Sequence, residues 1–355
     1  MGYHYCLSTT VFRERVEEST LVQTKMAHAR EDRLLIHAVL KRDPLVSFAE
    51  DVVRGLTTEP KRFLPKYFYD ELGSQLFDAI CLLPEYYLTR AENEILERYA
   101  DEIVASIAGD KTLLEMGSGS ASKTRLVIEA ILREQRKLLF IPVDISVTAL
   151  ESSSRILLQS YPQLSIEAYA ADYFAGLAEL SKHEERGPTL ALFLGSNISN
   201  FETDEATRFL RALRGVLRSG DALLLGADLK KDPHTLEAAY NDSLGVTAAF
   251  NLNVLARINR ELGGNFDLRA FKHRAVYNAE LGRIEIYIES KHEQTVIIKK
   301  LGLEVRFTEG EHIRTENSYK YDLEDISSLA SKSGFTRART WQDLQERFSS
   351  NLLLA

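Results

Sequence analysis

Only two cysteines, Cys6 and Cys81, occur in the 355 residues, too few for a disulfide framework or for the clustered thiolates of a structural zinc site. A reducing, intracellular setting is the expectation that follows. Long apolar runs are missing as well: no stretch approaches the ~20 residues that cross a bilayer, and none has the shape of a signal peptide. The opening MGYHYC carries Cys6 where a myristoylation signal needs Ser or Thr. We therefore expect a cytoplasmic protein with no membrane partner. An excess of positive charge is also absent. With 44 Lys and Arg against 52 Asp and Glu, a net charge of −8, the chain is a poor match for phosphate backbones, which are bound by clustered cations that displace counterions. Nucleic acid is not an expected partner. There is no internal repeat and no low-complexity tract, and we expect a monomer.

What is present is ordinary globular composition, 45% hydrophobic and 27% charged, in a chain long enough for a large core. Residues 1–47 read as a polar N-terminal arm of mixed charge. From about Phe48 to Ile107 apolar positions recur at helical spacing, as in FDAICLL and ENEILERYADEIVASI, with breaks at Pro60, Pro65 and Pro84. The pattern then alternates. Apolar KTLLEM, KLLFIPVD and TLALFLGS are separated by amphipathic KTRLVIEAILREQ and VTALESSSRILLQSY, and DEATRFLRALRGVL leads to a further strand, DALLLGADL. Short apolar runs alternating with amphipathic helices predict an α/β fold: a doubly wound parallel sheet covered on both faces. After that strand the rhythm breaks. Helical HTLEAAYNDSLGVTAAFNLNVLARINREL and strand-like HRAVYN, RIEIYIES and TVIIKK predict an inserted α+β subdomain over 231–311. The main domain then comprises 48–230 and 312–355, closing with helical DLEDISSLASKSG and two strands, FTRARTW and FSSNLLLA.

The chemistry-bearing motif is Glu115-Met116-Gly117-Ser118-Gly119-Ser120, between the first buried strand and a helix. Glycines there let backbone approach a ligand, and the helix start offers free N–H groups. Alone, the motif is equally a tight turn with no ligand. Asp144 ends the second strand, where a carboxylate can accept both hydroxyls of a ribose, and Asp172 is placed at the end of the third. A single strand-end Asp is more often a helix cap, but two after a glycine turn point to an adenosine-type cofactor. Ser122 stands where the dinucleotide fingerprint wants its third glycine, which makes NAD the second choice.

KYFYDELGSQLFD, LPEYYLTRAE, LLEMGSGSASKT, PVDIS, FLGSNISNF, AAYNDSLGVTAAFNLNVLARINREL and IRTENSYKY, in this order from about Pro65 onward, resemble the L-histidine Nα-methyltransferases of ergothioneine biosynthesis. These are class I S-adenosylmethionine-dependent methyltransferases with a Rossmann-like sheet. The resemblance implies that Tyr69, Gly117, Lys123, Asp144 and Asp172 contact S-adenosylmethionine. It implies that Tyr86, Asn200, Tyr240, Glu316 and Ser318 contact the amino-acid substrate, held by the inserted subdomain, and that three methyl transfers end at a trimethylammonium. No metal is implied. The chemistry agrees: Asn200 and Tyr240 can donate to a carboxylate, Glu316 and Ser318 can bind imidazole N–H groups, and Tyr69 is the candidate for orienting the amine. For Glu316 the structural alternative is an ion pair with Arg314. The loop GSNISN has fewer glycines than the family pattern, and Ile286 replaces another apolar residue of the pocket. Rival readings are a methyltransferase of tryptophan or a prenylated indole, which retention of Glu316 and Ser318 disfavours, and a non-catalytic S-adenosylmethionine sensor, which would need no substrate set.

Overall fold

The computed structural model describes residues 29–31, 33–39, 43–182 and 187–355; Cys6 and the rest of 1–28 lie outside the described residues. The alternating part of the sequence folds as a nine-stranded sheet in the order β1-β2-β5-β4-β3-β6-β7-β14-β13. Its strands are β1 (Ala29–Glu31), β2 (Leu34–Ala38), β3 (Thr112–Met116), β4 (Leu138–Asp144), β5 (Leu164–Ala170), β6 (Thr189–Phe193), β7 (Ala222–Asp228), β13 (Thr336–Gln342) and β14 (Phe348–Leu354). From β2 to β7 neighbours run parallel, while β14 enters antiparallel between β7 and β13. Every residue of β3, β6 and β7 is buried, which is why these strands read as unbroken apolar runs instead of alternating ones. The helices between them bury one stripe each. In Thr124–Glu134 it is Val127, Ile128, Ala130 and Ile131, the i, i+3, i+4 spacing of a helix lying on a sheet.

Two features differ from the sequence reading. Part of the segment read as an arm joins the sheet: β2 pairs in parallel with β5 and buries Leu34 and Ile36. Five residues are too few for their alternation to stand out. In addition, His312–Tyr319 does not return to the main sheet. It is β12 of a three-stranded antiparallel sheet, ordered β12-β9-β8 with β8 (Phe271–Asn278) and β9 (Arg283–Ser290), so this sheet reaches past residue 311. A further hairpin joins β10 (Gln294–Ile298) and β11 (Leu303–Phe307).

The chain moves from β3 to β4 and β5 on one side, then crosses back to β6 and β7 on the other. Loops after β3 and β6 therefore diverge and leave a crevice at the carboxyl ends of the strands, where open α/β sheets bind ligands. The helix Val246–Leu262 closes it. Its Phe250 ring lies 5.0 Å from Phe68, 5.6 Å from Tyr69 and 5.9 Å from Phe77, tying it to the helical lead-in.

Candidate active site

On one side of the crevice is the glycine turn. Gly117 and Gly119 have φ of +76° and +49°, the left-handed region that side chains disfavour. A Cβ on Gly117 would meet the Tyr173 hydroxyl at 2.8 Å, whereas one on Gly119 would meet nothing within 4 Å. The turn thus packs tightly at its first glycine and opens at its second. Asp144, at the end of β4, accepts from the N–H of Gly119 through Oδ2 and of Ser146 through Oδ1, each at 2.9 Å. Burial raises its carboxyl above the usual range, and those two amides oppose the rise. The Ile145 amide acts in the same sense, and the carboxylate retains acceptor capacity for a ligand hydroxyl. Ser118, between the glycines, has a buried Oγ with no partner among the described residues.

Lys123 and Asp172 are placed less directly. The Lys123 ammonium pairs with Glu92, a fully buried carboxylate of the helix Leu88–Ala105. Both Glu92 oxygens also accept from the Gly195 N–H at 2.9 Å. Asp172 lies two residues beyond β5 and caps the helix Tyr173–Leu180 by accepting from the Ala175 N–H at 2.8 Å. It is exposed and does not line the cavity described next.

On the other side, Tyr69, Tyr86, Asn200, Tyr240, Glu316 and Ser318 line one cavity, with Phe77, Phe250 and Ile286 among its apolar walls. They come from elements as distant as the lead-in, the turn Asn197–Asn200, the helix Pro233–Tyr240 and β12. The Tyr69 ring meets Phe77 edge-on at 5.6 Å, and Tyr86 meets Tyr240 at 6.1 Å. Burial pushes the phenols of Tyr69 and Tyr86 well above their ordinary range, so both keep their protons. Glu316 forms no ion pair with Arg314 among the described residues. A bulge between Arg314 and Glu316 in the β12–β9 pairing inserts the extra residue that turns the two side chains apart. Burial raises the Glu316 carboxyl to about 7, against the attraction of Lys320.

Sequence reasoning missed what lies beneath the cavity. Lys320 is fully buried and donates to Tyr240 Oη and Ser318 Oγ, both at 2.9 Å, and to Asp228 Oδ2 at 2.8 Å. Asp228 also accepts from Tyr87 Oη at 2.8 Å and pairs with Lys231 at 2.6 Å. Burial alone would raise the Asp228 carboxyl, but the two ammonium groups hold it below its usual value. A signal for Lys320 was available: in E-N-S-Y-K it continues the alternation of Glu316 and Ser318 one residue past the end of β12. Above the cavity, Ser196 takes φ +59° directly after Gly195 at +71°, a conformation glycine would adopt freely. Its hydroxyl is fixed by Ser199 at 2.5 Å and by the Asp228 N–H at 2.8 Å, which accounts for a serine in the less glycine-rich loop.

The sequence matches the family described as histidine-specific, S-adenosylmethionine-dependent methyltransferases over residues 48–355. It is 42% identical to the histidine N-alpha-methyltransferase of Mycolicibacterium smegmatis, covering 85% of this chain and 93% of that protein. Against the Mycobacterium tuberculosis protein of the same description, identity is 40%, with coverage of 86% and 94%. An L-tryptophan methyltransferase of Psilocybe serbica is 29% identical over 84% of this chain and 90% of its own.

Proposed function

Because this chain belongs to the histidine-specific, S-adenosylmethionine-dependent methyltransferase family, we propose that it methylates the α-amino nitrogen of L-histidine three times, giving Nα,Nα,Nα-trimethyl-L-histidine. The observation that carries this reading is one cavity holding hydroxyl and amide donors, an enclosed carboxyl group and aromatic walls, beside a glycine turn whose Asp144 has acceptor capacity to spare. The turn suits an adenosine: Gly119 faces open space, Ser118 Oγ is unpaired, and Asp144 matches two ribose hydroxyls. Gly117, Asp144, Lys123 and Asp172 are the residues we assign to the cofactor, with Tyr69 bordering it. S-adenosylmethionine, when bound, supplies a methyl group on a sulfonium.

The chain's own residues have to bind and align the amine. Asn200 and Tyr240 donate to the substrate carboxylate, which orients the neighbouring nitrogen, and Glu316 with Ser318 holds the imidazole. Tyr69, keeping its proton, orients the amine as a hydrogen-bonding phenol and does not act as the base. An α-amino group has a pKa near ~8, so the proton must leave to solvent before each transfer, and displacement then depends on alignment. A trimethylammonium has neither proton nor lone pair and ends the sequence.

We also place the protein in the cytoplasm as a monomer. Among the described residues no helix is long and apolar enough to cross a membrane. The decisive experiment incubates the purified protein with S-adenosylmethionine and each of the twenty amino acids and reads mass gain. Histidine gaining up to three methyl groups is expected. Gain on tryptophan with none on histidine would overturn the substrate.

A further inference from the structure

The hydrogens around Lys320 can be placed one by one. Its side chain is fully buried, one residue past the end of β12, and it stays an ammonium: burial would lower its pKa, but the attraction of Asp228 and Tyr240 prevails. An ammonium has three hydrogens and accepts nothing. They go to Asp228 Oδ2 at 2.8 Å, to Tyr240 Oη at 2.9 Å and to Ser318 Oγ at 2.9 Å. Asp228, itself held by Lys231 at 2.6 Å, anchors the ammonium from below. Burial raises the pKa of the Tyr240 phenol against the pull of Lys320, so the phenol keeps its hydrogen as well.

Tyr240 Oη and Ser318 Oγ lie 2.8 Å apart, a separation at which a hydrogen stands between two oxygens. The pair has two hydrogens. One lies in the mutual bond, and the other is left over. Each oxygen also accepts from Lys320. The hydroxyl that donates to its neighbour therefore retains a single lone pair, and the hydroxyl that receives retains a single hydrogen. Both side chains line the cavity, and Ser318 shares its face of β12 with Glu316, two residues before it in an unbroken stretch of register. To a ligand the pair thus presents one donor and one acceptor, in either of two arrangements, and never two donors.

We infer that Lys320 is a positioning residue that sets both substrate contacts together: when Tyr240 donates to the substrate carboxylate, Ser318 Oγ can only accept, and so it selects a ring N–H. The inference rests on the histidine reading above. A carboxylate has no hydrogen to give, so it admits only the arrangement in which the Tyr240 hydrogen points at the ligand and the Ser318 hydrogen points at Tyr240 Oη. One ring nitrogen then donates to Ser318, and the other is left to Glu316. The carboxylate at one end of the pair thereby dictates the state of the ring nitrogen bound at the other. Without the ammonium the two oxygens are no longer pinned to one atom, and Ser318 is free to turn its hydrogen towards a bare nitrogen.

Calorimetric titration of the full chain, saturated with S-adenosylhomocysteine, tests this with L-histidine and the two L-thiazolylalanines that carry sulfur in place of one or the other imidazole nitrogen. Both thiazoles keep one bare nitrogen and have no N–H. In the wild type each should bind at least about tenfold more weakly than histidine, because Ser318 finds no hydrogen. In Lys320→Met the isomer whose nitrogen reaches Ser318 should lose most of that penalty relative to histidine, while the other isomer keeps it. Tyr240→Phe removes the oxygen that takes the Ser318 hydrogen and should relieve the same isomer alone, a measurement that stands even if Lys320→Met does not fold. A lysine that served stability alone would weaken all three ligands alike. Unchanged penalties in a folded Lys320→Met, or in Tyr240→Phe, would overturn the inference, and so would a thiazole that binds the wild type as tightly as histidine does. Wild-type protein that binds no histidine but does bind another amino acid would remove the functional reading itself, and this inference with it.

Discussion

At Glu316 two forces oppose each other. Burial disfavours the carboxylate, the Lys320 ammonium favours it, and burial prevails: the carboxyl stands at about 7 in the fold against the ordinary 4.5. The sign for stability follows from proton counts. Between pH 4.5 and 7 the folded ligand-free protein retains a proton that the unfolded chain has released, so this group stabilises the fold at low pH and its contribution is lost as pH rises towards 7. Glu316→Gln, which keeps the shape without the titration, should gain melting temperature relative to the wild type as pH is raised from 5 to 8. A difference that stays constant over that range would show a carboxyl in ordinary solvent. The same residue separates the histidine reading from the indole one. Glu316→Ala should cost histidine about 1.5–3 kcal/mol of charge-assisted bonding, roughly ten- to a hundredfold in kcat/KM, while tryptophan methylation improves or appears. Equal loss for both amino acids would reduce Glu316 to a structural role. Asp144→Ala should weaken S-adenosylmethionine binding by a comparable factor, and calorimetric affinity within threefold of the wild type would remove Asp144 from that site.

Between elements, the connections that matter are made by side chains whose sequence distance hides them. Glu92 links the helix Leu88–Ala105 to the start of the helix after the glycine turn through Lys123, and to the loop after β6 through the Gly195 N–H. One carboxylate thus braces the loops that flank the crevice. Glu92→Ala should therefore weaken both S-adenosylmethionine and histidine binding, because neither loop keeps its anchor, and a variant that lost stability but bound both normally would refute the brace. Nothing in the local pattern announced Glu92, which sits in an ordinary amphipathic helix. The sequence did announce the strand-end aspartate Asp144 and the glycine turn, since a buried parallel strand followed by polar residues is a local signal. Asp228 carried the same signal at the end of β7 and was overlooked among the apolar residues around it. The cavity residues had no such signal. Tyr86, Asn200, Tyr240 and Glu316 converge only through tertiary packing, and the bulge at Arg314–Glu316 breaks the period-two rule that would have paired those side chains.

For the molecule as a whole, the parallel sheet was legible because fully buried strands must be apolar throughout, while its strand order came only with the fold. Its outer edge was not legible either. β2 is a short strand whose alternation, Leu34 and Ile36 inward, is too brief to outweigh the polar sequence before it. In the fold it covers β5 through five paired residues, and Arg33 reinforces the join by donating to the Leu164 carbonyl at 2.9 Å and the Leu158 carbonyl at 3.0 Å. Removing its two buried side chains should therefore act on stability and spare substrate binding. β5 and β4 separate β2 from β3, and no residue of β2 lines the cavity. Large-to-small changes in a core cost about 2–5 kcal/mol each, and β2, flanked on its outer side only by the three-residue β1, should lie nearer the lower figure because its surroundings can relax. We expect Leu34→Ala with Ile36→Ala to lower the melting temperature clearly and to expose the β5 edge to pairing with other chains, seen as aggregation on heating. Histidine affinity measured below the transition should stay within twofold of the wild type. An unchanged melting temperature would mean that β2 contributes nothing to the folded sheet in solution, and a selective loss of histidine binding would mean that the edge and the cavity are coupled through β5 and β4.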